Sequence, residues 1–349
     1  MIVGEIALQN FRSYTKKTFQ FSPQTTLIVG PNAAGKTNIL EAIFLMATGK
    51  SFRADQDREV VRWEAEVGRI KSQITNHNDQ TNLELVITSG EVQGEKTPLK
   101  KFLVNGVPRR MIDFVGNLRV VLFWPEDLEL VTDSPSLRRR YLDSVLVQVD
   151  REYRRNLLSY ERGLRQRNRL LDFINEETAH RHQLLFWDQL LIKAGGYLTE
   201  KRAQFIEFIN TYHVSHITYH ITYDKSVISE SRLAQYAGEE VAAKATLVGP
   251  HRDDFVAFKD TRELSKFGSR GEQRLAILWL KLAELAYIEK AAGERPVLLL
   301  DDIFSELDDE HRALVFDLIG KQQTIITSAD EHAIPATIRK KMQVIELGL

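Results

Sequence analysis

Cysteine is absent from this chain of 349 residues. Disulfides, thiolate zinc sites and cysteine nucleophiles are thereby excluded, and the absence is compatible with a reducing compartment. Also missing is any uninterrupted apolar run near the roughly 18 residues of a membrane-spanning helix. The opening Met1-Ile2-Val3-Gly4-Glu5-Ile6 carries an acid early and lacks the apolar core of a signal peptide, so a cytoplasmic location is expected. Neither charge is in excess: 47 Lys and Arg stand against 48 Asp and Glu, a formal net charge of −1. Bulk charge therefore does not announce a nucleic-acid binder, and any such surface must come from local sorting of charges. Low-complexity tracts are not found, nor is the repeat of a conventional α-solenoid.

What is present is the composition of a globular protein, 43% hydrophobic and 27% charged, long enough for one large domain or two ordinary ones. Strands are expected at Ile2 to Leu8, Phe19 to Phe21 and Gln24 to Val29, the last running into a glycine. After Lys36 the period becomes helical, with Ile39, Leu40, Ile43, Phe44 and Ala47 on one pattern that ends near Gly49. Short alternating segments from Val60 to Val104, such as Leu83-Glu84-Leu85-Val86-Ile87, predict an antiparallel sheet. From about Ser136 to Asn175, and again from His182 to Tyr212, dense Arg, Glu and Leu predict two long antiparallel helices, with a turn at Glu176 to His180. The last third returns to α/β: a helix from Ser269 to Ala292, a doubly buried strand at Val297 to Leu300, and a further strand at Thr324 to Thr327. The expected organisation is a discontinuous head, 1–130 with 245–349, and a mainly helical lobe, 131–244.

Gly30-Pro31-Asn32-Ala33-Ala34-Gly35-Lys36-Thr37 matches G-x-x-x-x-G-K-[ST] at every fixed position. In such a loop, backbone N–H groups converge on phosphate oxygens and the helix that follows adds its positive end. Lys36 supplies a point charge for the β- and γ-phosphates, and the Thr37 hydroxyl is a ligand for Mg²⁺. Asp301-Asp302 ends the buried strand, where α/β sheets bind ligands. There Asp301 would hold Mg²⁺ and Asp302 would act as general base on the attacking water. Ser269-Arg270-Gly271-Glu272-Gln273 opens a helix, offering a hydroxyl, a close backbone approach and a dipole to a second phosphate contact.

The order of these elements, with Ser305-Glu306-Leu307-Asp308 after them, resembles the SMC-like ABC ATPases of DNA repair, and within them the RecF family of bacterial recombination mediators. Asn10-Phe11-Arg12-Ser13-Tyr14, Gly49-Lys50-Ser51-Phe52-Arg53, Arg138-Arg139-Arg140-Tyr141-Leu142-Asp143 and Gly249-Pro250-His251-Arg252-Asp253-Asp254 carry that likeness. The resemblance implies an α/β ABC-type ATPase head (a P-loop fold with an antiparallel β subdomain) plus an inserted α-helical lobe. It implies ATP and Mg²⁺ as cofactors and an ATP set of Gly30 to Thr37 with Asn38 and Arg12. It also implies a homodimer in ATP, in which Ser269 to Gln273 and Asp308 act in trans on the partner's nucleotide. Gapped and double-stranded DNA at single-strand/double-strand junctions, RecR with the RecO pathway, and RecA downstream are the implied partners. The implied activity is slow, DNA-dependent ATP hydrolysis in a nucleoid-associated protein. Two departures matter: Asp302 stands where most ABC ATPases have glutamate, and Thr327-Ser328-Ala329-Asp330 lacks the usual histidine. The usual glutamine-lid residue has no clear counterpart.

For DNA contact the candidates are Lys100, Lys101, Arg109 and Arg110, flanking a hairpin at Asn105-Gly106, and Arg138, Arg139 and Arg140. The helix that follows is rich in arginine, from Arg151 to Arg169, but Asp143, Asp150, Glu152 and Glu161 are interspersed. A DNA-contacting face and a salt-bridged, solvated face both fit, and Arg138 to Arg140 fit alternatively as residues that fasten the lobe to the head. His251 reads as holding a turn rather than as a metal ligand. Two other functions fit the phosphate loop: an ATPase subunit of a membrane transporter and an ATP-holding architectural protein. The interval from Lys36 to Asp301 is far longer than a transporter head needs, and Asp302 argues for hydrolysis.

Overall fold

Runs of largely apolar residues form the central sheet, except at its last strand, where Gln343 and Glu346 are exposed. Thr25–Val29, Val120–Phe123, Val297–Asp301, Thr324–Ser328 and Gln343–Glu346 pair in parallel, in the order 120–123, 297–301, 324–328, 25–29, 343–346. Leu27, Ile28, Val297 to Leu300, Ile325 and Ile326 are fully buried, as strands covered on both faces must be. This computed structural model describes residues 1–349 apart from 77–78, 214–217, 306–308, 331, 333 and 349. The chain divides into two units, Met1–Asp127 with Glu284–Leu349, and Leu128–Ala283. Residues 245–283 therefore cluster with the helical segment, because the strand Asp254–Lys259 pairs with Tyr219–Asp224 there.

In the first unit, a six-stranded antiparallel sheet is ordered 14–20, 2–11, 67–76, 79–88, 100–104, 107–109. Its strands alternate buried and open positions, as in Val67–Asn76. The helix Lys36–Thr48 touches strands of both sheets, which explains why nearly its whole circumference is buried. Each large apolar side chain sealed there contributes roughly 1.5–3 kcal/mol.

In the second unit the arginine-rich stretch is not one helix. It breaks at Asp150 into Pro135–Val149 and Arg151–Asn175. Asp150 is extended (φ −123°, ψ 108°) and its carboxylate accepts from Tyr153 N–H at 2.9 Å. An aspartate gains more by capping a new helix than by continuing an old one, and no proline or glycine marks the break. The second predicted helix runs Leu185–Thr211 after a 3₁₀ turn at Arg181–Leu184, and it packs against Arg151–Asn175.

A buried polar network ties this unit together around Gly249 to Asp254. Fully buried Asp253 accepts from Arg202 at 3.0 Å, from Ser226 N–H at 2.7 Å and from the Tyr223 hydroxyl. Arg202 also donates to Asp143 at 2.8 Å and to Pro250 C=O at 2.7 Å. His251 Nε2–H donates to Thr246 C=O at 3.0 Å, which leaves Nδ1 to accept from Tyr160 O–H at 2.8 Å. Both ring nitrogens are spent internally, so His251 holds a turn. Burial pushes its pKa down from the ordinary 6.5 to about 4.

The folded state thus refuses a proton that the unfolded chain accepts. Its contribution to stability is intact above pH 6.5 and is lost as the pH falls toward 4. At pH 5 the loss from this one group is about 2 kcal/mol. His251→Gln keeps a donor for Thr246 but cannot titrate. In thermal melts it should lose less stability than the wild type between pH 7 and pH 5, and parallel losses would show that His251 is not buried neutral.

Candidate nucleotide site

The parallel register brings the ends of three strands to one edge, pairing Asp301 with Thr327 and Ser328 with Val29. Residues 30–35 turn from Val29 into the helix that begins at Lys36. Gly35 caps that helix in the left-handed region (φ 95°) with no side-chain cap. A Cβ there would come within 2.7 Å of the Tyr14 hydroxyl, which itself donates to Gly35 C=O at 3.2 Å. Only glycine fits both demands. A helix opened this way leaves its first N–H groups to an anion. Lys36 Nζ is folded over the loop, donating to Gly30 C=O at 2.7 Å and Pro31 C=O at 3.0 Å. A phosphate has to win that ammonium from two neutral carbonyls, which a full charge does readily.

Asp301 is 4% exposed, and its Oδ1 accepts from Thr327 at 2.6 Å and from Thr37 at 3.0 Å. Burial pushes this carboxyl up; the two hydroxyl bonds pull it down and only partly compensate. Thr37 Oγ1 and Asp301 Oδ1 are hard oxygens 3.0 Å apart. An octahedral Mg²⁺ with ligands at about 2.0–2.1 Å spans adjacent oxygens about 2.9 Å apart, so the pair fits that ion. Asp302 lies in the left-handed region (φ 50°), with its N–H donating to Thr327 Oγ1 at 3.1 Å and Thr327 C=O at 3.2 Å. Thr327 therefore fixes both aspartates. In the sequence Thr327 reads only as the end of a predicted strand and the start of a segment lacking a histidine, with no sign of this role.

A second residue missed in the sequence is Glu41. It is wholly buried in the helix Lys36–Thr48, yet it accepts from Arg12 at 2.6 and 2.9 Å, Ser51 at 2.5 Å and Arg53 at 2.7 Å. Burial alone would push its carboxyl up; the bonds from Arg12, Ser51 and Arg53 outweigh that and hold it below the usual carboxylate range. Asn38, next to Thr37, accepts from Arg53 at 2.7 Å and donates to Ser13 at 2.9 Å. The stretches 10–14 and 49–53 are thus stitched to the phosphate-loop helix through the Glu41 carboxylate and the Asn38 amide. The available signal was a lone acid amid Ile39, Leu40, Ala42, Ile43 and Phe44.

In the second unit, Ser269, Arg270 and Gly271 are exposed, while Gln273 turns inward to donate to Leu264 C=O at 2.9 Å. Ser269 and Glu272 cap the helix Arg270–Ala292 reciprocally: Ser269 N–H donates to Glu272 at 2.9 Å, and Glu272 N–H to Ser269 Oγ at 3.2 Å. Asp308 lies outside the described residues.

The basic candidates separate. Lys100 is tied to Asp57 at 2.5 Å and Gly49 C=O at 2.7 Å; Arg138 makes a two-pronged pair with Asp254 at 2.6 and 2.9 Å; Arg139 donates to Asp253 C=O at 2.8 Å. These three cations are engaged by groups of their own unit, Lys100 in the first and Arg138 and Arg139 in the second. Arg154 and Arg167 are buried as well, Arg167 against Asp188 and Glu240, both at 2.7 Å. Lys101, Arg109, Arg110, Arg140, Arg162 and Arg165 remain exposed. The Asn105-Gly106 turn has both residues at positive φ, as a two-residue hairpin between Lys100–Val104 and Val107–Arg109 requires.

The model of the RecF/RecN/SMC N terminal domain matches residues 2–346. The DNA replication and repair protein RecF of Lachnoclostridium phytofermentans is 36% identical over 339 residues, covering 94% of this chain and 92% of that one. RecF of Chloroflexus aurantiacus is 39% identical over 368 residues, covering 95% and 94%. A solved structure of the recombination mediator protein RecF-ATP in the RecFOR pathway resembles this fold at a TM-score of 0.86, with 30% identity over 95% of this chain and 93% of that one. The architecture is an ABC-type ATPase head, with a phosphate-loop sheet and an antiparallel β subdomain, plus a largely helical segment inserted in sequence. The chain belongs to the RecF family, within the wider RecF/RecN/SMC group.

Proposed function

We propose that this protein is an ATP-switched DNA-binding protein of recombinational repair and replication restart, and a slow ATPase. The observation that carries the proposal is the meeting of Lys36, Thr37, Asp301 and Asp302 at one sheet edge, in a fold shared with a RecF-ATP structure. Gly30 to Thr37, with Asn38, cradle the triphosphate, and Arg12 is poised beside them by Glu41. Thr37 and Asp301 hold Mg²⁺, which supplies charge neutralisation of the β- and γ-phosphates when bound. Asp302 takes a proton from the attacking water. It is one methylene shorter than glutamate, which suits slow turnover.

In this reading Ser269 to Gln273 and Asp308 of a second copy close on the γ-phosphate, so ATP drives a homodimer. The dimer clamps gapped or double-stranded DNA near a single-strand/double-strand junction. Exposed Lys101, Arg109, Arg110 and Arg140 are the favoured DNA contacts. RecR, acting with RecO, is the proposed protein partner, RecA loading the downstream event, and the cytoplasmic nucleoid the place of action. The proposed functional lobes are 1–130 with 245–349, and 131–244.

Lys36→Met should abolish nucleotide uptake and, with it, ATP-dependent retention of a gapped duplex in a filter assay. Retention by that variant at the wild-type level would remove ATP from the mechanism. Asp302→Asn should keep nucleotide uptake while turnover falls by about a hundredfold or more; unchanged phosphate release would show that Asp302 is not the base.

A further inference from the structure

Ser269 offers the donors that a γ-phosphate from a second copy would need, and those donors are already engaged. Its N–H and its hydroxyl both donate to Glu272 Oε2, at 2.9 and 3.2 Å. A hydroxyl has one hydrogen, so it cannot serve Glu272 and a phosphate oxygen together. The other carboxylate oxygen, Oε1, is held by Lys259 at 2.9 Å and Arg262 at 3.1 Å. These cations lie at the ends of the hairpin strands Asp254–Lys259 and Arg262–Glu263. The Lys259 ammonium first, and then the Ser269 N–H, lower the Glu272 pKa to about 2, so the group is a full anion at neutral pH.

We infer that Glu272 is an internal stand-in for the partner copy's γ-phosphate: it occupies Ser269 in the separate subunit and must let go before two copies close. This rests on the two-copy reading of Ser269 given above. An anion at a helix N-terminus opposes the arrival of another anion. Release is nonetheless reversible and mild, because Lys259 and Arg262 can keep Oε1 while Oε2 turns away from Ser269. Glu272 then sets the ATP concentration at which the dimer forms, and Lys259 and Arg262 lower that threshold by drawing off its charge.

A reciprocal cap of this kind also has a purely structural use, which is to start the helix. The two roles predict different signs. As a cap alone, losing the Glu272 charge or losing Lys259 would each loosen the helix start, and both changes would weaken assembly. As a competitor, Glu272→Gln keeps an amide oxygen for the Ser269 N–H but removes the opposing charge, so assembly needs less ATP. Lys259→Met leaves the Glu272 charge less neutralised by its surroundings and more firmly on Ser269, so assembly needs more.

The test is sedimentation velocity of the full chain, titrated with ATP in excess Mg²⁺. Relative to the wild type, the midpoint for dimer formation should fall roughly three- to tenfold in Glu272→Gln and rise in Lys259→Met. If the wild type dimerises but Glu272→Gln needs as much ATP or more, the competition is refuted and the two-copy reading survives. If the wild type never dimerises with ATP, both fall.

Discussion

One carboxylate oxygen joins the pieces of the candidate site. Asp301 Oδ1 accepts from Thr37, on the phosphate-loop helix, and from Thr327, on the neighbouring strand. Through those two bonds the end of the strand Val297–Asp301, the loop at Gly30 to Gly35 and the strand Thr324–Ser328 share one geometry. The arrangement works because these strands are buried and run parallel in register, so all three segments end at the same edge. A carboxyl pushed up by burial in such a place gains from a divalent cation what its hydroxyl partners only partly supply.

Glu41 does for the outer part of the site what Asp301 does for the inner part. Burying a carboxylate costs several kcal/mol unless it is matched, and Arg12, Arg53 and Ser51 match it from two separated loops. The cost explains the precision: with any of these partners removed, a fully buried charge is less completely compensated. Arg12 and Arg53 are therefore held at the mouth of the phosphate loop by the helix that the loop itself starts.

Much of this could be read from the residues alone. The spacing of Gly30, Gly35, Lys36 and Thr37, and the apolar run before Asp301, depend on local backbone and pattern, and local pattern is what sequence displays. The helix break at Asp150 could not be seen, because it comes from a cap bond to Tyr153 rather than from proline or glycine. Thr327 and Glu41 were hidden for a different reason: their partners lie 26 and 29 positions away, at Asp301 and Arg12, and only the fold brings them together. Likewise, a triple arginine reads as a basic patch, yet Arg138 turned inward to Asp254 and Arg139 to the Asp253 carbonyl. Charge counts along a chain do not say which charges face solvent.

The central claim is that a nucleotide held by Lys36 and its loop is completed by Ser269 of another copy. Sedimentation of the wild type and of Ser269→Arg, each with and without ATP and Mg²⁺, tests it most directly. The account predicts a dimer in one case alone, the wild type with nucleotide. A nucleotide-bound wild type that sediments as a single subunit, or a Ser269→Arg chain that dimerises with ATP as the wild type does, would contradict it.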